Sequence, residues 1–150
     1  GVVYETLNIA SKWELPLLIV VENNRYAQST KIEKTLAGSI SDRFRAFDIS
    51  VDELSTFDAL EIFNASSDIV ENVRNYSKPH GLILNTYRFA SHSKSDDGRD
   101  PREIDTWVSN DPLLVFDKYI DQAYKRAEKN RAYDEINKIA QKAIESEFAQ

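Results

Sequence analysis

The stretch Pro16-Leu17-Leu18-Ile19-Val20-Val21-Glu22-Asn23-Asn24-Arg25-Tyr26 decides how this chain is built. Five consecutive apolar residues, Leu17 to Val21, are what a strand covered on both faces requires, as in parallel sheets. The run stops at three polar side chains, Glu22, Asn23 and Asn24. In an open parallel sheet, ligands bind just beyond the carboxyl ends of the strands. Two adjacent Asn residues there supply amide oxygens, hard neutral donors that Mg²⁺ accepts beside carboxylates, carbonyls and phosphates. Ordinary turn chemistry explains the same pair, because Asn tolerates left-handed backbone and caps nearby amides.

Upstream, Val3, Leu7 and Ala10 keep helical spacing, so residues 2–13 read as an amphipathic helix closed by Glu14-Leu15-Pro16. Downstream, residues 25–38 read as a loop, and Ser39 or Ser41 caps a short helix through Phe47. Ile49 to Val51 reads as a brief strand and Val51-Asp52 as the turn that ends it. Ser55, with Asp58 three residues on, suggests a capping box for a helix whose stripe runs from Ala59 to Tyr76. Lys78-Pro79-His80-Gly81 is turn chemistry, and Leu82-Ile83-Leu84 opens a second buried strand. A helix between two such strands is the crossover a parallel sheet needs.

Residues 87–100 are polar and read as a long loop, followed by helix starts at Asp100-Pro101 and Asp111-Pro112. A further helix is expected after Asn130, which makes residues 111–150 an antiparallel helical pair beside an α/β domain over residues 1–110. Two long strands and one short one make a small sheet for a doubly wound fold. Further strands, or a partner that covers the faces, are therefore expected.

The chain has 150 residues, 41% hydrophobic and 29% charged, which suits a globular domain with a real core. Its net charge of −6 argues against a nucleic-acid-binding surface, which needs a basic face. No apolar run approaches the ~20 residues needed to cross a bilayer. Cys is absent and only His80 and His92 are present, so disulfides, thiolate chemistry and multi-histidine metal sites are excluded. The opening Gly1-Val2-Val3-Tyr4 has no Met and already keeps helical spacing, which suggests that the chain continues upstream.

A second chemistry-bearing stretch is Asn85-Thr86-Tyr87-Arg88-Phe89-Ala90-Ser91-His92-Ser93-Lys94-Ser95-Asp96-Asp97. Arg88, His92 and Lys94 gather near a strand end, where an anion fits. Arg pairs with phosphate through two charge-assisted hydrogen bonds, and His donates to phosphate or moves a proton near neutral pH. The plain alternatives are a surface Arg in a weak ion pair and an exposed loop His. The Asp96-Asp97 pair pins the loop through Arg99 or Arg102, or simply solvates it.

Together, Leu7-Asn8-Ile9-Ala10, Trp13-Glu14-Leu15-Pro16, Glu22-Asn23-Asn24-Arg25-Tyr26, Thr86-Tyr87-Arg88 and His92-Ser93-Lys94-Ser95-Asp96 resemble one family. It is the α subunit of the first enzyme of thiamine-diphosphate-dependent 2-oxo acid dehydrogenase complexes, of pyruvate, branched-chain and acetoin type. The resemblance implies a partial thiamine-diphosphate-binding α/β fold: parallel strands, flanking helices and a C-terminal helical pair. It assigns Mg²⁺ coordination to Asn24 and the Tyr26 carbonyl. Arg88 and His92 are assigned to the cofactor's phosphates, and His92 also to a catalytic position near the lipoyl substrate. The Gly-Asp-Gly half of the cofactor motif is absent, so the isolated chain is expected to be inactive. Ala90-Ser91 stand where many members carry a further His and a Gly, and Glu53 replaces the Gly of a Val-Asp-Gly.

The implied activity is oxidative decarboxylation of a 2-oxo acid with acyl transfer to a lipoyl group. The implied partners are a β subunit or fused β half, a lipoyl-bearing acyltransferase, and further copies in an oligomer; neither nucleic acid nor membrane is among them. The implied location is the bacterial cytoplasm or the mitochondrial matrix. Ser93 matches a serine phosphorylated in mitochondrial members; a phosphate there would repel an anionic cofactor, although an ordinary loop serine is the simpler reading. Two alternatives stand beside this: an acetoin or biosynthetic acyl-transfer enzyme with the same cofactor, and a non-catalytic interaction module that keeps the fold.

Overall fold

A computed structural model describes residues 1–94 and 97–148. The chain divides into two compact units, Gly1–Pro112 and Leu113–Gln150.

The first unit is α/β. Helix α1 (Val2–Lys12) leads to strand β1 (Leu18–Asn23), and α2 (Ile40–Arg45) leads to β2 (Ser50–Leu54). Helix α3 (Ala59–Tyr76) crosses to β3 (His80–Asn85), and α4 (Pro101–Val108) ends the unit. All strands are parallel in the order β1-β3-β2, with Asn23 beside Asn85 and Leu54 beside Leu84. Their carboxyl ends therefore share one edge.

Alternation along the strands sorts side chains to two faces. Ile83, with Leu7, Phe44 and Ile49, forms the core on the side of α1 and α2, joined by Ile19, Val21 and Val51. Leu82 meets Ile69 and Val73 of α3 on the other side, with Leu18, Leu54 and Leu84 around it. The expectation that β1 is covered on both faces holds at Leu18 on one side and at Ile19 and Val21 on the other, but not at Val20. Val20 is 50% exposed because β1 is an edge strand and α3 packs over Leu82.

At Gly81 helix α2 and the sheet approach closely. A Cβ there would lie 2.7 Å from Cδ1 and Cε1 of the buried Phe44 ring. Gly81→Ala is therefore expected to cost about 1–3 kcal/mol through overpacking. Chemical denaturation checks this, and an unchanged midpoint would mean that the ring moves aside freely.

Three local expectations are corrected. Val51-Asp52 is strand rather than turn, since β2 extends to Leu54 and pairs residue by residue with β3. That extension displaces the cap of α3 from Ser55 to Asp58, whose carboxylate accepts from the Leu60 amide at 3.0 Å. His80 is the first residue of β3 rather than part of the turn, and its Nε2 lies 2.6 Å from Asp52 Oδ2 on the neighbouring strand. By contrast, Ser39 caps α2 through Asp42 and Asp100 caps α4 with Pro101 next to it, as their sequences imply.

From Pro112 onward, the described residues do not form the expected antiparallel helical pair. A short helix α5 (Pro112–Phe116) and a 3₁₀ turn (Asp117–Tyr119) precede one long helix, α6 (Gln122–Glu145). Asp121 caps α6 by accepting from both the Ala123 and Tyr124 amides at 2.9 Å. Asn130 lies inside it. A single Asn costs a helix only a few tenths of a kcal/mol, and no Gly or Pro follows to stop the chain. Among the described residues, no helix is long and apolar enough to cross a membrane.

Candidate functional site

The polar residues at the shared strand edge form a continuous row. Asn23 Nδ2 donates to Asn85 Oδ1 at 2.8 Å, and Asn85 Nδ2 donates onward to Glu53 Oε1 at 2.7 Å. Asn85 also reaches Ser55 Oγ at 3.2 Å. The row crosses all three strands. Asn23 and Glu53 line a cleft of about 420 Å³ closed on its other side by the loop and helix start at Ile32, Leu36 and Ser39.

Beyond Asn23 the backbone turns sharply. Arg25 adopts a left-handed φ of 63°, and its amide donates to Asn23 Oδ1 at 3.2 Å, so Asn23 closes the turn. A small antiparallel bridge, Tyr26 to Lys31, follows. Asn24 emerges at the apex of this turn, where its Oδ1 accepts from Thr86 Oγ1 at 2.6 Å. The two signatures, 62 residues apart in sequence, therefore meet directly.

Arg88 stands two residues further along the same tail. Its guanidinium donates to the carbonyls of Ala27 at 2.7 Å, Gln28 at 2.6 Å and Ala90 at 3.1 Å. Arg88 thus clasps the segment just beyond Tyr26. His92 is exposed in the loop that follows, four residues on, and Lys94 is exposed in a turn. Asn24, Tyr26 and Arg88 are brought together, and His92 follows Arg88 in the loop after β3.

Sequence reasoning undervalued the residues behind this turn. Arg99, given only a loop-pinning role, has a side chain just 4% exposed. It donates to the carbonyls of Arg88 at 2.5 Å and of Phe89 and Ala90 at 3.2 Å, and pairs with Asp97 at 2.6 Å. Of the two pairings expected for the acidic loop, Asp97–Arg99 forms; Asp96 lies outside the described residues. Hydrogen bonds from Arg99 hold the Asp97 carboxyl down from 3.8 to about 2. The Arg99 guanidinium lies 5.3 Å from the ring centres of both Tyr26 and Tyr87. Trp107 of α4 stacks on Tyr87 at 5.2 Å and takes the Arg25 guanidinium at 4.7 Å on its ring. Nothing in spacing marked these residues, because their grouping depends on α4 folding back to the strand edge.

The donor set suits a hard cation only in part. Among the described residues, no group of three or more His, Cys, Asp or Glu could hold a metal ion. Asn24 and the Tyr26 backbone offer neutral oxygens, hard donors of the kind Mg²⁺ would accept.

The polar groups and guanidinium side chains gather at the carboxyl edge of a parallel α/β sheet, the edge at which open sheets of this class bind ligands. The comparisons narrow this to one family. The sequence profile of the dehydrogenase E1 component matches residues 1–150. The pyruvate dehydrogenase E1 component subunit alpha of Rickettsia conorii is 31% identical over 150 residues, 97% of this chain and 46% of that protein. The subunits of the same name from Zymomonas mobilis and Rhizobium meliloti are each 37% identical, over 117 and 97 residues. These matches cover 75% and 64% of this chain, against 33% and 28% of the relatives. The chain belongs to the dehydrogenase E1 component family. It spans about half the length of the Rickettsia conorii relative it matches.

Proposed function

We propose that this chain supplies the metal–diphosphate side of a thiamine diphosphate site in a 2-oxo acid dehydrogenase, completed by residues outside it and by a β partner. The observation that carries this reading is the Thr86–Asn24 hydrogen bond at 2.6 Å, which joins the turn after β1 to the Arg88 tail. Asn24 Oδ1 and the Tyr26 carbonyl would hold Mg²⁺, and one lone pair of the amide oxygen is committed to Thr86. Arg88 would exchange neutral carbonyls for phosphate oxygens, whose charge-assisted hydrogen bonds are roughly twice as strong. His92, exposed on the same loop, would donate to the phosphates and face the incoming lipoyl group of an acyltransferase. The cofactor, when bound, supplies the electron sink for decarboxylation, and the metal orients the diphosphate and screens its charge.

The test is calorimetry of thiamine diphosphate with Mg²⁺ on the full subunit assembled with its β partner. Asn24→Ala is expected to weaken metal-dependent binding by about 10- to 100-fold, the range seen even for groups one shell out from a metal. Its circular dichroism should not change, because Asn24 is exposed and outside the core. An unaltered Mg²⁺ requirement removes Asn24 from the site. The scaffold reading draws on the occupied donors of Arg88, and no binding at saturating metal favours it. Substrate profiling separates a 2-oxo acid dehydrogenase from an acetoin or biosynthetic enzyme.

A further inference from the structure

The Tyr26–Lys31 bridge is gripped from outside by a single carboxylate. Glu103, in the first turn of α4, accepts from the Tyr26 hydroxyl on Oε1 at 2.7 Å and from Lys31 Nζ on Oε2 at 2.8 Å. These partners are the two members of the same bridge, 77 and 72 residues away in sequence. The Tyr87 hydroxyl reaches Oε1 as well, at 3.2 Å, which adds the tail of β3 to the same anchor. Three donors on one carboxylate keep it ionised. Lys31 and then Tyr26 draw the Glu103 carboxyl below its usual range, while burial and the carboxylate raise the Tyr26 phenol.

The geometry points to Glu103 as a positioning residue for the metal turn: it fixes Tyr26 and Lys31 relative to α4 and so sets where the Tyr26 carbonyl sits. This rests on the proposed Mg²⁺ role of Tyr26. Two features separate it from a general packing role. Glu103 is half-buried at the rim rather than in either apolar core, with a side chain 27% exposed. Its partners are also confined to the turn after β1 and the β3 tail. An acidic residue in the first turn of α4 is independently favourable to that helix, so removing its charge acts on the helix as well. The test must separate the two effects.

The experiment compares Glu103→Ala, Glu103→Gln and wild type in the full subunit assembled with its β partner. Two readouts are taken: the Mg²⁺ concentration that half-saturates thiamine diphosphate binding, and amide exchange at Ala27 and Ile32. The Ala27 amide donates to Thr30 and the Ile32 amide to Arg25, so both report the turn directly. Glu103→Ala is expected to raise the half-saturating Mg²⁺ about tenfold and to speed exchange at both amides by a similar factor, since losing bonds to a charged group has this order of effect. At saturating Mg²⁺ the turnover number should return to the wild-type value. Glu103→Gln keeps an acceptor for the tyrosines but loses the Lys31 ion pair, and should fall between.

Slower folding or a lower melting temperature with unchanged Mg²⁺ dependence and unchanged exchange would overturn the proposal and leave Glu103 as a helix-terminus residue. Faster exchange with unchanged Mg²⁺ dependence would overturn the link to the metal. If the wild type itself shows no Mg²⁺-dependent binding, the functional reading and the metal part of this inference fall together. The exchange data then decide separately whether Glu103 holds the turn.

Discussion

Replacing Ile83 by Ala is expected to lower the stability of the Gly1–Pro112 unit by about 2–5 kcal/mol, the range for truncating a fully buried aliphatic side chain. Ile83 has no exposed surface and sits on β3, the strand between the other two. Its side chain joins Leu7 of α1, Phe44 of α2 and Ile49 in one cluster. Alanine would leave a cavity that the sheet cannot close, because the backbone on both sides is held by strand pairing. Val20→Ala makes the contrast, since Val20 lies half exposed on the edge strand and should change stability by less than about 0.5 kcal/mol. Urea denaturation of both variants gives the comparison. Equal losses would mean that the core is not centred on β3.

Arg99→Ala should have the largest effect on the site itself. The wild-type side chain satisfies three backbone carbonyls in the Arg88–Ala90 turn and anchors Asp97. At about 1 kcal/mol per hydrogen bond, the free energy that keeps this turn closed should fall by on the order of 2–4 kcal/mol. Local opening would be read by amide exchange or by limited proteolysis between residues 88 and 99. Global unfolding should move less, because the apolar clusters do not include Arg99. The same contact sets a pH response. The carboxyl of Asp97 is depressed in the folded chain, so its contribution is complete above the ordinary carboxylate range. It is lost as pH falls from 3.8 toward about 2. Loop protection in the wild type should therefore decline over that window, and Arg99→Ala should show no such decline. Protection that is flat with pH in the wild type would mean that the pair does not hold the loop.

Both of these effects lie behind the residues that carry the proposed chemistry, and that division runs through the whole structure. The turn after β1 was legible because Glu22, Asn23 and Asn24 follow directly on five apolar residues. Arg88 was legible only through the Thr86-Tyr87-Arg88 motif, since a guanidinium on a loop after a strand is ordinarily a surface residue in a weak ion pair. His92 was identified by motif, and in the fold it stands exposed on the loop after β3. Glu103, Trp107 and Lys31 carried no signal of their own, being ordinary helix or loop residues until α4 reaches the strand edge. Asn130 misled in the opposite direction. A weak helix former looked like a boundary, yet flanking residues with good propensity carried the helix through it.

Local chemistry determined the helix starts at Ser39 and Asp100, the buried strands, the polar break at Asn23 and the family signature, because each depends on neighbours a few residues away. Tertiary structure alone decided the strand order β1-β3-β2, the extension of β2, the exposure of Val20 and the carboxylate beneath the Tyr26–Lys31 bridge. These depend on which distant side chains come within hydrogen-bond or van der Waals reach. Such contacts extend only a few ångströms, so a one-dimensional pattern cannot register them until the chain has closed.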